Sequence, residues 1–154
     1  MDNREKHFTA SALVLHNNKV LLVNHIKLGV WLYPGGHVED NETPDQTVIR
    51  EVKEETGLDV EIISQRDKNL SHIKSDVHSL HIPYAFLCEL VGDHYHNDLI
   101  YLCKVTGGDT DKLAYRENES SDLKFFSKEE LNKIKLFPNF RTLLEKIFAD
   151  NMRQ

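Results

Sequence analysis

Glu51, Glu54 and Glu55 crowd three carboxylates into "REVKEETGL", the end of an acidic stretch that starts at Gly35. At 3.6 residues per turn these three positions fall on one helical stripe. Like charges at i,i+3 and i,i+4 spacing cost about 0.2–0.5 kcal/mol per pair. Near a helix C-terminus the dipole disfavours anions as well. Local physics opposes the arrangement, so a compensating partner is expected. One reading is a solvated charged face in which Arg50 and Lys53 supply the partners. The other is a hard divalent cation such as Mg²⁺, which takes oxygen ligands and bridges a carboxylate site to substrate phosphates.

The surrounding spacing favours the cation. From Gly36 the chain runs five residues to Glu42, seven more to Arg50-Glu51-Val52, one to Glu54-Glu55 and one to Gly57-Leu58. This is an unbroken Nudix box, and the chain resembles a small Nudix hydrolase of the MutT-like kind. The "WLYPGG" lead-in and the order of strands fit as well, so the likeness spans nearly the whole chain. The resemblance implies an α+β Nudix fold over residues 1–154, a mixed sheet sandwiched between helices. It also implies hydrolysis of a nucleoside diphosphate linked to a further group X, by water attack on phosphorus with Mg²⁺ or Mn²⁺. The partner would be a small nucleotide, and the protein a monomer or homodimer.

Residue by residue, the resemblance makes Glu51 and Glu55 the main metal ligands, with Glu54 next. The backbone carbonyl of Gly36 or Gly35 would add a ligand, glycine letting the main chain come close to the ion. Arg50 would orient a glutamate, and Glu42 would tie loop to helix. A further carboxylate from "YRENESSDLKFF" would be Glu117 or Glu119; Glu119 stands six residues before Phe125. The general base is either Glu51 or such a loop carboxylate. Glu39 and Asp40 read as solvated loop charges.

Other positions depart from the family pattern. Many relatives carry arginine near the end of the second strand, where this chain has Asn24-His25 with Lys27 beyond. Lys27 is the phosphate contact expected there. Residues 72 to 75 read "HIKS", without the proline or tyrosine of ADP-ribose or dinucleoside-polyphosphate relatives. "HYHND" sets His94, His96 and Asp98 on one face of a strand: a half-buried sheet face, a substrate wall that includes His96, or a zinc-like trio. Trp31, Tyr33, Tyr84 and Phe86 could stack a base or fill the core. "LFPNF" makes Asn139 a candidate for base readout.

The elements that must hold these groups follow from pattern. "FTASALVLH" and "KVLLVNH" flank Asn17-Asn18 as a hairpin. Residues 29–36 read as one short extended piece. Thr43 caps a helix with Pro44 at its first position, and Gly57 ends it; Val48 and Val52 can face the core. Strands are expected over 58–63, 80–92, 97–107 and 123–126, with a polar loop or irregular hairpin at 64–79. Ser127 and Glu130 fit a capping box. Apolar residues at 140, 143, 144, 147 and 148 give helical periodicity.

Composition bounds the rest. The 154 residues are 40% hydrophobic and 29% charged, as in a globular domain. The net charge of −6 excludes a general field for duplex nucleic acid. No apolar run approaches the about 20 residues of a membrane span, and a cytoplasmic location is expected. Cys88 and Cys103 lie in apolar runs and are expected as buried free thiols. Two alternatives to hydrolysis remain. A non-catalytic Nudix module would bind and sense a nucleotide, but such modules tend to lose box glutamates that this chain keeps. An isoprenoid-diphosphate isomerase would need a catalytic cysteine and a modified box.

Overall fold

The computed structural model describes residues 1–114 and 120–151. Asn17 and Asn18 both take positive φ, 50° and 58°. They close a tight hairpin between β1 (Lys6–His16) and β2 (Lys19–His25), as a two-residue turn matched to strand twist requires. Residues 29–36 form two short strands instead of one extended piece. β3 (Val30–Leu32) pairs with β2, and β4 (Gly35–His37) pairs with β1. Tyr33-Pro34 separates them, proline having no N–H with which to continue a ladder.

The helix α1 (Pro44–Thr56) is bounded as its sequence dictates. Thr43 and Gln46 form a reciprocal capping box, and Gly57 ends the helix at φ 78° with its N–H on the Lys53 carbonyl. β5 (Asp59–Ile62) follows. Residues 64–79 hold two single 3-10 turns and an isolated bridge between His72 and Val77. β6 (Ala85–Val91) starts later than expected, and β7 (His94–Gly107) starts earlier. The reason lies outside β7: it runs parallel to β1 from the Lys6–Tyr95 pair onward, and that pairing draws His94 and His96 into the strand. β8 (Ser120–Phe126) pairs with β2. Ser127 and Glu130 exchange the two expected capping bonds, around a 3-10 turn at Glu130–Lys133, and α2 (Pro138–Asn151) closes the described chain.

The eight strands form one mixed sheet in the order β3-β2-β1-β7-β5, with β4 on β1, β6 on β7 and β8 on β2. Alternation along β1 divides the core between the two faces. Ala10, Ala12 and Val14 pack with Val48 and Val52 of α1, whereas Leu13 joins Phe140, Leu144 and Ile147 of α2. The sheet thus lies between the two helices, the α+β sandwich expected. Among the described residues no helix is long and apolar enough to cross a membrane.

One sequence expectation fails here. Cys103 is buried, but Cys88 is exposed. β6 reverses the usual logic: Phe86, Cys88 and Leu90 face outward, and Glu89 faces inward to meet the Tyr33 hydroxyl. An apolar run cannot reveal that a polar interior contact has set its register. Burial, with Asp45 adding, also pushes the Cys103 thiol up to about 12. A thiol reagent should therefore titrate one cysteine in the native protein and two in denaturant. Cys88→Ser should remove the native equivalent.

Candidate active site

The carboxylate stripe of α1 faces β4 at close range. Gly35 N–H donates to Glu55 Oε1 at 3.1 Å. A Cβ on Gly36 would run into the Glu51 carboxylate, and one on Gly35 would run into Ser11 and the Ala10 carbonyl. Only glycine lets this strand pair with β1 on one side and accept glutamates on the other. Glu51 is buried, at 7% relative exposure.

Arg50 organises the group. It donates to both oxygens of Glu42, at 2.6 and 3.1 Å, in a bidentate pair. Its Nη1 reaches Glu51 at 2.9 Å and Glu54 at 3.2 Å. Its Nη2 also lies 3.4 Å from the His37 carbonyl. Glu42 further accepts from the Thr47 hydroxyl and the Glu39 N–H, so it joins the loop to the helix. Glu39 stands 3.7 Å from Arg50 and is 70% exposed.

Beside the stripe lies a cavity of about 180 Å³, lined among others by Thr9, Ser11, Tyr33, Glu55, Glu89 and Asp98. Gly35, Gly36, His96 and Phe137 also line it. Asp98 is buried and accepts from Thr9 at 2.9 Å, Ser11 at 2.8 Å and Tyr33 at 2.8 Å. The same Tyr33 hydroxyl lies 3.1 Å from Glu89. A hydroxyl has one proton to give, so Tyr33 can serve only one of the two carboxylates at a time. Burial pushes Asp98 and Glu89 upward, and the charge of Asp98 adds to the rise at Glu89. Both shifts favour the protonated form of the group concerned. The pocket thus offers a donor–acceptor pair at its polar end, with Leu28, Leu32 and Phe137 at its apolar end.

The other expected residues disperse. Lys27 is exposed in the turn between β2 and β3 and does not line the cavity. Asn139 lines an adjoining shallow groove with Leu28, Glu89, Val91 and Phe137. Trp31 packs edge-on against Phe126 and Tyr33 against Phe140, both partly buried at the margin of the core, while Tyr33 also lines the cavity. Tyr84 bonds Asp150, and Phe86 is exposed. Glu117 and Glu119 lie outside the described residues. His94 and His96 share a face with Asp98, but the trio does not converge. Asp98 turns to Thr9 and Ser11, while the two histidines meet His7 and His37. Burial, with the neighbouring histidines adding, lowers His37 and holds His96 at about 4. Sequence reasoning overlooked Glu89; its one signal was a carboxylate inside the apolar run "AFLCELV".

Fold and site together define the class. The NUDIX domain family model matches residues 5–147, and the chain belongs to that family. A crystal structure of a NUDIX-family hydrolase from Clostridium perfringens is similar over 96% of this chain and 97% of that one, at 33% identity and TM-score 0.81. An 8-oxo-dGTP diphosphatase of Proteus vulgaris is 42% identical over 64 residues, 39% of this chain and 57% of that protein. A probable DHNTP pyrophosphohydrolase of Lactococcus lactis subsp. cremoris is 35% identical over 97 residues, 57% of each chain. The matches to these two curated relatives thus span little more than half of their length.

The Arg50–Glu42 pair gives a pH signature. The guanidinium holds the Glu42 carboxyl at about 2, against an ordinary 4.5, with Thr47 and the Glu39 N–H helping. A folded-state value below the unfolded one stabilises the protein above the unfolded value and loses that stability as pH falls through the folded one. Glu42→Gln should therefore cost about 1.5–3 kcal/mol near neutral pH, as for hydrogen bonds to a charged group. The gap from wild type should close between pH 4.5 and about pH 2. Melting curves of both proteins across that range measure it.

Proposed function

We propose that this protein hydrolyses the diphosphate of a nucleoside diphosphate linked to a further group X, a free nucleoside triphosphate or related nucleotide. Support comes above all from one observation: Glu51 and Glu55 are pressed against the Gly35-Gly36 backbone beside a cavity with polar and apolar ends. The donor set is oxygen only, the chemistry that Mg²⁺ or Mn²⁺ takes. Glu51, Glu55, Glu54 and the Gly36 carbonyl would hold the ion, with Glu119 a further candidate. When bound, it supplies Lewis-acid polarisation of phosphate oxygens and activation of water.

The chain's own residues do the rest. Arg50 fixes the Glu51 carboxylate through Nη1, with the bidentate Glu42 contact locking the guanidinium plane. Glu51, held this way, is positioned to accept a proton from water attacking phosphorus. Glu54 shares the same guanidinium nitrogen and stays aligned with it. Tyr33, Glu89 and Asp98 present both donor and acceptor to the edge of a base, while Leu28, Leu32 and Phe137 cover its apolar face. His96 forms part of the wall. Residues 1–154 would form one such domain, acting in the cytoplasm as a monomer or homodimer.

Glu51→Gln is nearly isosteric and lowers the like-charge repulsion within the helix. Its melting temperature should stay close to wild type, the weaker Arg50 contact and the lower repulsion opposing each other, while turnover of a nucleotide found by a phosphate-release screen falls about 10²–10⁴-fold. Chelation of divalent cations should abolish wild-type turnover. Turnover that survives the substitution and the chelator would overturn the metal-assisted mechanism, whereas nucleotide binding with no turnover in the screen would leave a nucleotide-sensing module as the better account.

A further inference from the structure

Four imidazoles meet at the rim of the cavity, where the starts of β1 and β7 reach the end of β4. The strand registers bring them together: His7 pairs with His96 across β1 and β7, and Thr9 pairs with His37 across β1 and β4. His94 precedes His96 by two residues and so shares its face. Ring centroids lie 4.5 Å apart for His7 and His94, 4.8 Å for His94 and His96, and 5.0 Å for His37 and His96.

The ring nitrogens divide into an outer and an inner set. On the outside, His7 Nε2 lies 3.0 Å from Glu5, and His94 Nδ1 lies 2.9 Å from Asp93. A carboxylate there takes the ring N–H and leaves the opposite nitrogen as a lone pair. On the inside, His7 Nδ1 lies 3.3 Å from His37 Nε2, and His94 Nε2 lies 2.9 Å from His96 Nε2. One ligand atom from each of His7, His37 and His94 falls within 4.8 Å of the others. Zinc–nitrogen bonds of about 2.0–2.1 Å at the tetrahedral angle set two ligand nitrogens about 3.3–3.4 Å apart. The His7–His37 separation already has that value. A carboxylate behind a histidine is also the arrangement that orients imidazole ligands and raises their basicity.

We propose that His7, His37 and His94, with His96 as the fourth imidazole, form a binding site for a borderline divalent metal of the Zn²⁺ class. It is separate from the carboxylate stripe of α1. Imidazole donors suit Zn²⁺, Ni²⁺ or Cu²⁺, whereas Mg²⁺ prefers the oxygens of the glutamates. The ligands come from three strands, so the ion ties together β1, β4 and β7 beside the cavity. Its place next to Gly36 makes it a clamp on the strand that carries the glycines, and its chemistry does not depend on which nucleotide the cavity takes.

The test uses the full chain, stripped with chelator and dialysed, then titrated calorimetrically with Zn²⁺ in excess Mg²⁺. The expected result is one Zn²⁺ per chain with micromolar affinity or better. Replacing Zn²⁺ with Co²⁺ should give the visible absorption of a four-coordinate ion. His94→Ala and His7→Ala should each remove that binding. Asp93→Asn, which leaves all four rings in place, should weaken it about 10-fold. Glu55→Gln should leave it unchanged. Circular dichroism of the metal-free variants checks that they fold, and Asp93→Asn, on an exposed side chain, supplies the reading if a histidine variant does not. Absence of tight Zn²⁺ binding overturns the proposal. So does binding that survives the histidine changes or is lost with Glu55→Gln, because the metal would then sit on the carboxylates.

Discussion

One guanidinium in contact with three glutamates is the interaction around which the rest is arranged. Arg50 touches Glu42, Glu51 and Glu54 at once. Without it, the lower half of α1 would carry like charges on one stripe at the end of the helix where the dipole opposes them. Its strong pairing also works in reverse: the carboxylates raise the Arg50 pKa further above its already high value, so the charge that holds them is permanent. Glu42 makes the largest single contribution to that hold and stands in the loop before α1. Fixing the loop and fixing the helix stripe are therefore one event.

The same constraint reaches into the sheet. A carboxylate stripe can lie against a strand only if that strand has no side chains in the way, and β4 offers two glycines at that point. β4 is short, bounded by Pro34, and held by antiparallel pairing to β1 from Thr9 to Ser11. β1 therefore has three tasks. Ala10, Ala12 and Val14 pack against α1, Leu13 and Leu15 pack toward α2, and Thr9 and Ser11 spend their hydroxyls on Asp98. The polar cavity exists because two small hydroxyl side chains replace apolar ones where the α2-facing core ends. Asp98 and Glu89 meet there at a buried tyrosine hydroxyl, where burial raises the pKa of both carboxyls.

Much of the architecture is written locally. The Asn-Asn turn, the Thr43 cap with Pro44, the Gly57 stop and the period of α2 each depend on contacts within a few residues, and each appears where its sequence places it. The stripe of Glu51, Glu54 and Glu55 follows from helix geometry alone. Strand limits were less legible. β6 and β7 are set by their partners, so an apolar run suggested the wrong start for both and the wrong side for Cys88. Lys27 and Asn139 were named for their neighbourhood in sequence; the β2–β3 turn carries Lys27 away from the cavity, and the start of α2 sets Asn139 in the groove beside it.

The sequence by itself determined the carboxylate helix, its caps and the glycines that must face it, because spacing along one helix and one adjoining strand is a local quantity. Only the tertiary structure decided which carboxylate Arg50 grips most closely, that Glu89 turns inward to Tyr33 and Asp98, and that His7 and His37 join His94 and His96. These groups lie up to 89 residues apart in the chain. They meet through the parallel register of β1 with β7 and the antiparallel register of β1 with β4. A shift of one residue in either would turn each side chain to the opposite face. Register is settled by burial summed over the whole sheet, and no short stretch of sequence contains that sum.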